Sequence, residues 1–201
     1  MNAEPPAPAR RPAVFLDRDD TLIVDVPYLA DPAGLRVLAG AATALAALRR
    51  AGYALVLATN QSAVGRGLIT EERLRTIHDE LERLLAADGA TLDAIYYCTH
   101  APRSDDRTAV EHPDRKPAPG MLLRAAEELE LDLPASWMVG DRVSDVLAGL
   151  HAGCRSILVG SNDTLDGLPT PAQDGRVFAA ADLAAAAELI LDERLAPSET
   201  P

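Results

Sequence analysis

The chain has 201 residues, with 19 lysines and arginines against 31 aspartates and glutamates, which gives a formal net charge of −12. This balance excludes proteins that grip nucleic acid or an anionic membrane face, since both need concentrated positive charge. With 48% hydrophobic and 25% charged residues, the composition is that of one globular domain that can bury its own core, and it excludes a globally disordered chain.

Alternating apolar and amphipathic segments define the predicted elements. Buried strands are expected at 13–17, 54–59, 94–98, 137–141 and 156–159, with a weaker strand at 176–179. Helices are expected between and after them, at 40–51, 70–87, 119–131, 143–152 and 182–194. This alternation predicts an α/β fold, a doubly wound, Rossmann-like parallel sheet sandwiched by helices. One domain over 12–194 is expected between disordered tails at 1–11 and 195–201.

The two ends of the chain and its cysteines bear on its location. Residues 1–12 lack the apolar region of a signal peptide, and no uninterrupted apolar run approaches the roughly 18 residues of a membrane span. Two cysteines are too few for a disulfide framework. We therefore expect a cytoplasmic protein, a monomer by default, with neither a nucleic-acid nor a membrane partner.

Polar and acidic residues follow several of the predicted strands. Asp17 and Asp19 come after the first strand, Thr59 and Asn60 end the second, and Asp141 ends the 137–141 run. In an open parallel sheet, ligands bind in the crevice at the carboxyl ends of the strands. These side chains are therefore expected to converge on one site.

The acidic residues of this group suit phosphoryl chemistry. Asp17 is ionised at pH 7 and can attack phosphorus without a general base, but it is repelled by a phosphate dianion unless a divalent cation lies between them. Asp141 supplies a further carboxylate, and hard oxygen ligands suit Mg²⁺. Asp19 can protonate the departing alkoxide and later deprotonate water.

Neutral and cationic donors would hold the phosphate itself. Thr59 and Asn60 offer hydroxyl, amide and backbone donors, although a simple Thr-Asn turn is the alternative. Lys116 is the only lysine in the chain, which argues against an incidental surface charge. Asp145, four residues after Asp141, could hold Lys116 or lie on a helix surface.

Four blocks carry a family resemblance: FLDRDDTL, ATNQSAVGRG, RKPAPGM and GDRVSDVLAG, within residues 13–160. Together they resemble the haloacid-dehalogenase-like phosphohydrolase superfamily, in its capless branch of heptose 1,7-bisphosphate 7-phosphatases and histidinol-phosphate phosphatases. The resemblance implies that Asp17 is a nucleophile forming an aspartyl-phosphate, that Asp19 is the acid/base, and that Mg²⁺ sits on Asp17, Asp141 and the Asp19 carbonyl. It also implies phosphate binding by Thr59, Asn60 and Lys116.

The same resemblance implies a phosphatase for a small phosphorylated metabolite. Heptose 1,7-bisphosphate is the first expectation, and histidinol phosphate or a catalytically silent phosphate-binding relative are the alternatives. The 22–39 interval is too short for a folded cap and is expected to form a flap beside an open site. Arg66 and Arg115 are candidates for substrate anions, or else surface charges. Asp20 replaces the usual glycine, so a strained backbone is expected there, without loss of activity.

In relatives of this branch, a zinc ion often holds the loop that corresponds to the long 99–116 loop of this chain. This chain keeps Cys98 and His100, and it has His112 and Asp114 where two further cysteines are expected. A Cys/His/His/Asp set can ligate Zn²⁺ tetrahedrally, so a structural zinc site is one expectation. A lost site, with Cys98 as a buried thiol, is the other.

Overall fold

A single parallel sheet forms the centre of the computed structural model, which describes residues 10–160, 163–165, 168 and 175–195. Its strands are β1 (Ala13–Leu16), β2 (Ala54–Asn60), β3 (Ala94–Cys98), β4 (Trp137–Gly140), β5 (Arg155–Val159) and β6 (Val177–Ala180). They lie in the order β3-β2-β1-β4-β5-β6, and every neighbouring pair is parallel. The predicted doubly wound α/β fold is confirmed.

The helices are α1 (Ala41–Arg50), α2 (Ser62–Gly65), α3 (Glu71–Ala87), α4 (Gly120–Glu128), α5 (Val143–Ala152) and α6 (Leu183–Leu195). Helix α3 begins as predicted, because the Thr70 hydroxyl accepts a hydrogen bond from the Arg73 amide. Helix α4 ends earlier than predicted, since Glu130 adopts a left-handed φ of 53°. The sequence did not indicate α2 or the 3₁₀ turns at Pro32–Gly34 and Leu133–Ala135, which are too short to show a helical period.

The core lies on both faces of the sheet. Successive strand residues point to opposite faces, so β1 divides its side chains between two layers. Val14 and Leu16 pack in the cluster that includes residues of α1, α3 and α6. Ala13 and Phe15 pack in the cluster that includes residues of α4 and the end of α5. Burial on both faces explains why the central strands read as continuous apolar runs, whereas β3, predicted as a buried strand, lies at the edge of the sheet and is mostly half-buried.

A flap replaces a cap domain between β1 and α1. Leu38 and Val24 donate backbone hydrogen bonds to Leu22 and Arg36, at 2.9 Å each, and Ile23 forms an antiparallel bridge with Val37. Leu22 and Ile23 are fully buried. The flap is therefore anchored in the core at its base, as the short 22–39 interval predicts.

Two residues of the predicted tails, Arg11 and Leu195, belong to ordered parts of the structure, and Leu195 is the last residue of α6. Arg11 lies in a bridge with Leu131, and its carbonyl accepts a hydrogen bond from Asp132 at 2.9 Å, so the ordered chain begins before residue 12. Residues 1–9 and 196–201 of the predicted tails lie outside the described residues. Within the described part, no helix combines the length and apolarity needed to cross a membrane.

Candidate active site

The site lies where the sheet reverses its winding. From β1 the chain proceeds to β2 on one side and later returns to β4 on the other, so the carboxyl ends of β1 and β4 flank a crevice. Asp17 directly follows β1, and its amide donates to the Val139 carbonyl at 2.9 Å. That bond continues the β1–β4 pairing by one residue and fixes the Asp17 backbone at the crevice.

Lys116 is the cation that faces Asp17. Its Nζ donates to Oδ1 of Asp17 at 2.6 Å and lies 2.7 Å from Oδ1 of Asp145. The side chains are 2% exposed for Lys116, 9% for Asp17 and 2% for Asp145. Burial by itself lowers the pKa of Lys116, but the carboxylates of Asp145 and Asp17 outweigh it and raise that pKa. The ammonium is therefore kept charged.

Three buried carboxylates meet at this point. Asp17, Asp141 and Asp145 each offer an oxygen, and these oxygens lie within 4.8 Å of one another. Burial raises the pKa of Asp145, and the Lys116 ammonium opposes that shift. The sequence placed Asp17 and Asp141 together correctly. The third carboxylate is that of Asp145, whereas Asp19 was expected to contribute only its carbonyl.

Asp145 is held tightly by its own helix start. Its Oδ2 accepts a hydrogen bond from the Arg142 amide at 3.0 Å, which caps α5, while its Oδ1 meets Lys116. A Cβ on Gly140 would overlap the Asp145 carboxyl group, so only glycine fits there. Of the two expectations for Asp145, the structure supports the one in which it holds Lys116.

Arg142 connects this centre to the flap. Its Nε lies 3.4 Å from Oδ2 of Asp141, and its NH2 lies 3.7 Å from Oδ2 of Asp25. Sequence reasoning did not single out Arg142. Its position directly after Asp141, at a strand end, was the available signal.

Asp19 is outside the cluster of three carboxylates, and two donors hold its side chain. Arg18 approaches it through Nε at 3.2 Å and through NH2 at 3.0 and 3.1 Å, and Gln61 Nε2 donates to Oδ2 at 3.1 Å. Burial raises the pKa of Asp19, while the Arg18 guanidinium opposes the rise. Neither Arg18 nor Gln61 was among the predicted site residues. Their positions just after the ends of β1 and β2 were the available signal.

The Asn60 side chain holds the Lys116 backbone. Its Nδ2 donates to the Lys116 carbonyl at 3.0 Å, and its Oδ1 accepts from the Lys116 amide at 3.1 Å. Both ends of this amide group are thus used to hold the Lys116 backbone beside β2. Thr59 is 1% exposed, and its Oγ1 accepts a hydrogen bond from Gln61 Nε2 at 2.9 Å.

A cavity of about 420 Å³ opens onto these groups. Residues 25–29 of the flap line one side, and residues from the 102–111 loop line another. Arg115 also lines the cavity, and its NH1 donates to the His100 carbonyl at 3.0 Å. Arg66 is exposed at the end of α2 and lies outside the cavity lining. Of the two arginines proposed for substrate anions, only Arg115 lines this cavity.

Asp20 adopts the unusual backbone that the sequence led us to expect. Its φ is 52°, in the left-handed region. Its Oδ1 accepts a hydrogen bond from the Asp25 amide at 3.0 Å, so the carboxylate ties down the flap in a way that glycine could not.

The four predicted zinc ligands are not assembled as a metal site. Cys98 Sγ lies 3.8 Å from His112 Nδ1, but that nitrogen also accepts the Asp114 amide at 3.1 Å. The Asp114 carboxylate pairs with Arg124 at 3.0 Å. Across the described ranges, the aspartate group at Asp17 is the only cluster of three or more His, Cys, Asp or Glu donors close enough to share an ion.

Other contacts hold the 99–116 loop. The Glu111 carboxylate accepts the amides of Arg103 and Ser104 at 2.7 and 3.0 Å. The rings of His100 and His112 stack with their centroids 5.1 Å apart. Burial raises the pKa of the Cys98 thiol. The loop is therefore ordered by hydrogen bonds and stacking.

Comparisons with known proteins agree with this geometry. An HAD-hydrolase-like family model matches residues 113–186. The chain is 43% identical to the D-glycero-β-D-manno-heptose-1,7-bisphosphate 7-phosphatase of Yersinia pestis over 145 residues, which are 70% of this chain and 76% of that protein. It is 41% identical to the Escherichia coli K12 phosphatase of the same name over 142 residues, covering 70% and 74% of the two chains.

Solved structures show the same similarity. The crystal structure of the D,D-heptose 1,7-bisphosphate phosphatase from B. bronchiseptica, complexed with magnesium and phosphate, superposes with a TM-score of 0.75 at 36% identity. The match covers 90% of this chain and 99% of that one. A HAD-like phosphatase structure from Mesorhizobium loti matches with a TM-score of 0.74 at 35% identity, covering 91% and 88% of the two chains.

Proposed function

This chain belongs to the haloacid-dehalogenase-like phosphatase family that includes the heptose 1,7-bisphosphate 7-phosphatases, and from that membership we propose its substrate and residue roles. The reaction is hydrolysis of a phosphomonoester, and the substrate is D-glycero-β-D-manno-heptose 1,7-bisphosphate at its 7-phosphate. The observation that carries the proposal is the buried contact of Asp17 with Lys116 at 2.6 Å, beside Asp141, at the carboxyl edge of the sheet.

Asp17 acts as the nucleophile. One of its carboxylate oxygens forms a bond to phosphorus as the bond from phosphorus to the substrate oxygen breaks. Lys116 orients Asp17 by the hydrogen bond to Oδ1 and brings a fixed positive charge to the phosphoryl oxygens. Asn60 holds the Lys116 backbone in place for this task, and the Thr59 hydroxyl donates to the phosphate.

The donor set fits Mg²⁺, because the buried carboxylates of Asp17 and Asp141 lie close enough to share one ion and hard oxygen ligands suit this metal. Asp17, Asp141 and the Asp19 carbonyl would hold the ion. The two oxygens of Asp145 contact the Lys116 ammonium and the Arg142 amide. Asp145 would therefore not ligate the ion directly and would hold Lys116 beside it. Bound Mg²⁺ supplies positive charge that reduces the repulsion between Asp17 and the phosphate dianion.

Asp19 moves the protons. In its acid form it donates a proton to the leaving alkoxide, which departs as the alcohol. It then takes a proton from the water that attacks phosphorus, as the bond between Asp17 and phosphorus breaks and inorganic phosphate is released. Both Asp17 and Asp19 regain their starting forms, so the cycle closes without another reactant.

The cavity supports a substrate of metabolite size. Flap residues and the 102–111 loop border it, and its lining carries Arg107, Arg115 and Arg142 as well as Asp25, Asp105, Asp106 and Glu111. The preference for the bisphosphate over the amine-bearing alternative histidinol phosphate therefore rests on the similarity to heptose bisphosphate phosphatases and not on the charge of the cavity. We propose that Arg115 contacts the phosphate that is retained.

Turnover by the Asp17→Asn variant tests the reaction. The wild-type protein is assayed with p-nitrophenyl phosphate and Mg²⁺, with exposed Asp192→Asn as the matched control variant. We expect loss of activity beyond 100-fold for Asp17→Asn and none for Asp192→Asn. Unchanged turnover by Asp17→Asn would exclude the nucleophile, and a wild-type protein inactive toward every phosphate ester would identify a silent relative.

A panel with heptose 1,7-bisphosphate and histidinol phosphate tests the substrate. We expect kcat/KM for the bisphosphate to exceed that for histidinol phosphate at least about tenfold, on the scale of one lost charged contact. A preference for histidinol phosphate would overturn the substrate and leave the reaction class standing. Treatment with EDTA should abolish activity, and excess Mg²⁺ should restore it.

A further inference from the structure

We infer that Gln61 is a positioning residue: its side-chain amide aligns both the acid/base carboxylate of Asp19 and the hydroxyl of Thr59. The inference rests on the proposed phosphatase function and deepens it by naming a residue that organises the site. Gln61 is 5% exposed and follows β2 directly. It contacts two groups that act at different moments of the reaction.

Backbone contacts fix the position of Gln61. Its amide donates to the Cys98 carbonyl at 2.7 Å, which continues the β2–β3 pairing beyond the end of β2. The next residue, Ser62, begins the short helix α2. Because both flanks are ordered, the Gln61 side chain enters the site from a rigid point of the fold.

The two hydrogens of the Gln61 amide have two different acceptors. Nε2 donates to Oγ1 of Thr59 at 2.9 Å and to Oδ2 of Asp19 at 3.1 Å. In the step in which Asp19 takes a proton from water, its carboxylate is ionised and only accepts hydrogen bonds, so this side of the amide group must be the nitrogen. The amide orientation is thereby determined by its partners.

This orientation sets the direction of the Thr59 hydroxyl. Its oxygen accepts from Gln61, which has no lone pair on that nitrogen to accept in return. The hydroxyl hydrogen of Thr59 is consequently left to donate elsewhere, and a phosphate oxygen is the acceptor that the proposed function provides. Without Gln61, the hydroxyl could rotate away from this direction.

Hydrogen-bond donors hold the Asp19 carboxylate from two sides. Arg18, itself 3% exposed, donates through Nε and NH2 from one side, and Gln61 donates to Oδ2 from the other. Two donors on different elements define the plane of the carboxyl group, whereas Arg18 alone would leave it free to follow the guanidinium. Proton transfer requires that plane to face the leaving oxygen, since small misplacements are costly.

Leaving-group dependence separates this role from a structural one. Phenyl phosphate releases a phenol with a pKa near 10, as for tyrosine, whereas p-nitrophenyl phosphate releases a more acidic phenol that needs little protonation. A misaligned Asp19 therefore slows phenyl phosphate more. We expect Gln61→Met to raise the ratio of kcat/KM for p-nitrophenyl over phenyl phosphate about tenfold, a fraction of the 10²–10⁴ that acid catalysis supplies.

Two reference variants bracket the result. Asp19→Asn should give the largest change in this ratio, because no acid remains. Thr59→Val should lower kcat/KM for both esters and leave the ratio unchanged, because a phosphate contact is common to both. Urea unfolding followed by the fluorescence of Trp137, the only tryptophan, checks that each variant is folded.

The outcomes are distinguishable from failure of the proposed function. A wild-type protein that hydrolyses neither ester refutes the function and, with it, the role of Gln61. An active wild type with an unchanged ratio in folded Gln61→Met refutes the role of Gln61 alone. If Gln61→Met does not fold, Gln61→Asn keeps a polar amide that is too short to reach both acceptors, and the same change in ratio is required of it.

Discussion

Replacing Lys116 by methionine probes the buried charges at the centre of the site. Methionine keeps the apolar stem and removes the ammonium that lies 2.6 Å from Asp17 and 2.7 Å from Asp145. Removing one partner of a buried ion pair leaves an uncompensated charge and costs about 3–5 kcal/mol. We therefore expect Lys116→Met to be much less stable than the wild type at neutral pH.

The destabilisation of Lys116→Met should depend on pH, because a buried carboxylate that has lost its cation can become neutral by binding a proton. A buried carboxylate without its cation binds a proton, and the free energy of that protonation limits the penalty. From the ordinary value of 3.8, protonating one carboxylate costs about 4.4 kcal/mol at pH 7 and about 1.6 kcal/mol at pH 5. The folded variant then holds a proton that the unfolded chain lacks, so its stability falls as pH rises.

Urea unfolding monitored by Trp137 fluorescence measures this effect. Trp137 is fully buried, so its emission reports loss of the core. The buffer contains EDTA, because a bound divalent cation would replace part of the missing charge. Asp145→Asn, alone and combined with Lys116→Met, is the matched control, since removal of one carboxylate should recover part of the loss.

Two results would refute this reasoning. A penalty below about 1 kcal/mol at pH 7 would mean that the ammonium contributes no more than a surface ion pair. A penalty that is equal at pH 5 and pH 7 would mean that Lys116→Met loses only packing. In the second case the double variant would be no more stable than Lys116→Met.

Three further changes have defined outcomes. Burial, with a smaller contribution from the Arg18 guanidinium, lowers the pKa of His78 from 6.5 to about 4. The unfolding free energy of the wild type should therefore fall by about 2 kcal/mol from pH 7 to pH 5. Urea titrations of His78→Leu should lack this part of the fall. Asp20→Ala should lose the bond to the Asp25 amide while keeping the left-handed backbone, which lowers the unfolding free energy by about 1–2 kcal/mol. Glu111→Ala should release the two amides at 103–104 and speed tryptic cleavage at the loop about tenfold.

The controls for these three changes differ. An equally steep pH dependence in His78→Leu would show that other groups titrate in that window. Asp20→Gly should retain more stability than Asp20→Ala, because glycine adopts a positive φ without strain; the reverse order would contradict the strain argument. For Glu111→Ala, cleavage slowed equally by added zinc in wild type and variant would favour a metal over the carboxylate as the support of the loop.

Much of the fold followed from local patterns. Every strand predicted from an apolar run exists; the central strands β1, β2, β4 and β5 are buried on both faces and leave a continuous apolar stretch in the sequence, whereas the edge strand β3 is only half-buried. Elements of one turn, such as α2, escaped prediction because a single turn has no periodicity. The end of α4 depended on one left-handed residue, Glu130, and glutamate carries no sequence signal for that conformation.

The candidate site was predictable to the extent that it follows from strand ends. Asp17 and Asp141 could be paired in advance, since the carboxyl ends of parallel strands share one edge of the sheet. Of the two expectations for the long loop, zinc site or lost site, the sequence could not choose, because the choice depends on side-chain directions within the loop. There, Asp114 turns to Arg124 and Glu111 takes up backbone amides.

The amino-acid sequence alone determined where the strands lie along the chain and which acidic and basic residues follow them, because buried strands require apolar runs and the site residues come directly after these runs. Tertiary structure alone decided the tasks of Asn60, Gln61 and Arg18. Asn60 lies 56 positions from Lys116, and Gln61 lies 42 positions from Asp19. Which donor meets which acceptor across such separations depends on strand order and side-chain rotamers, and directional hydrogen bonds select their partners only once the chain has folded.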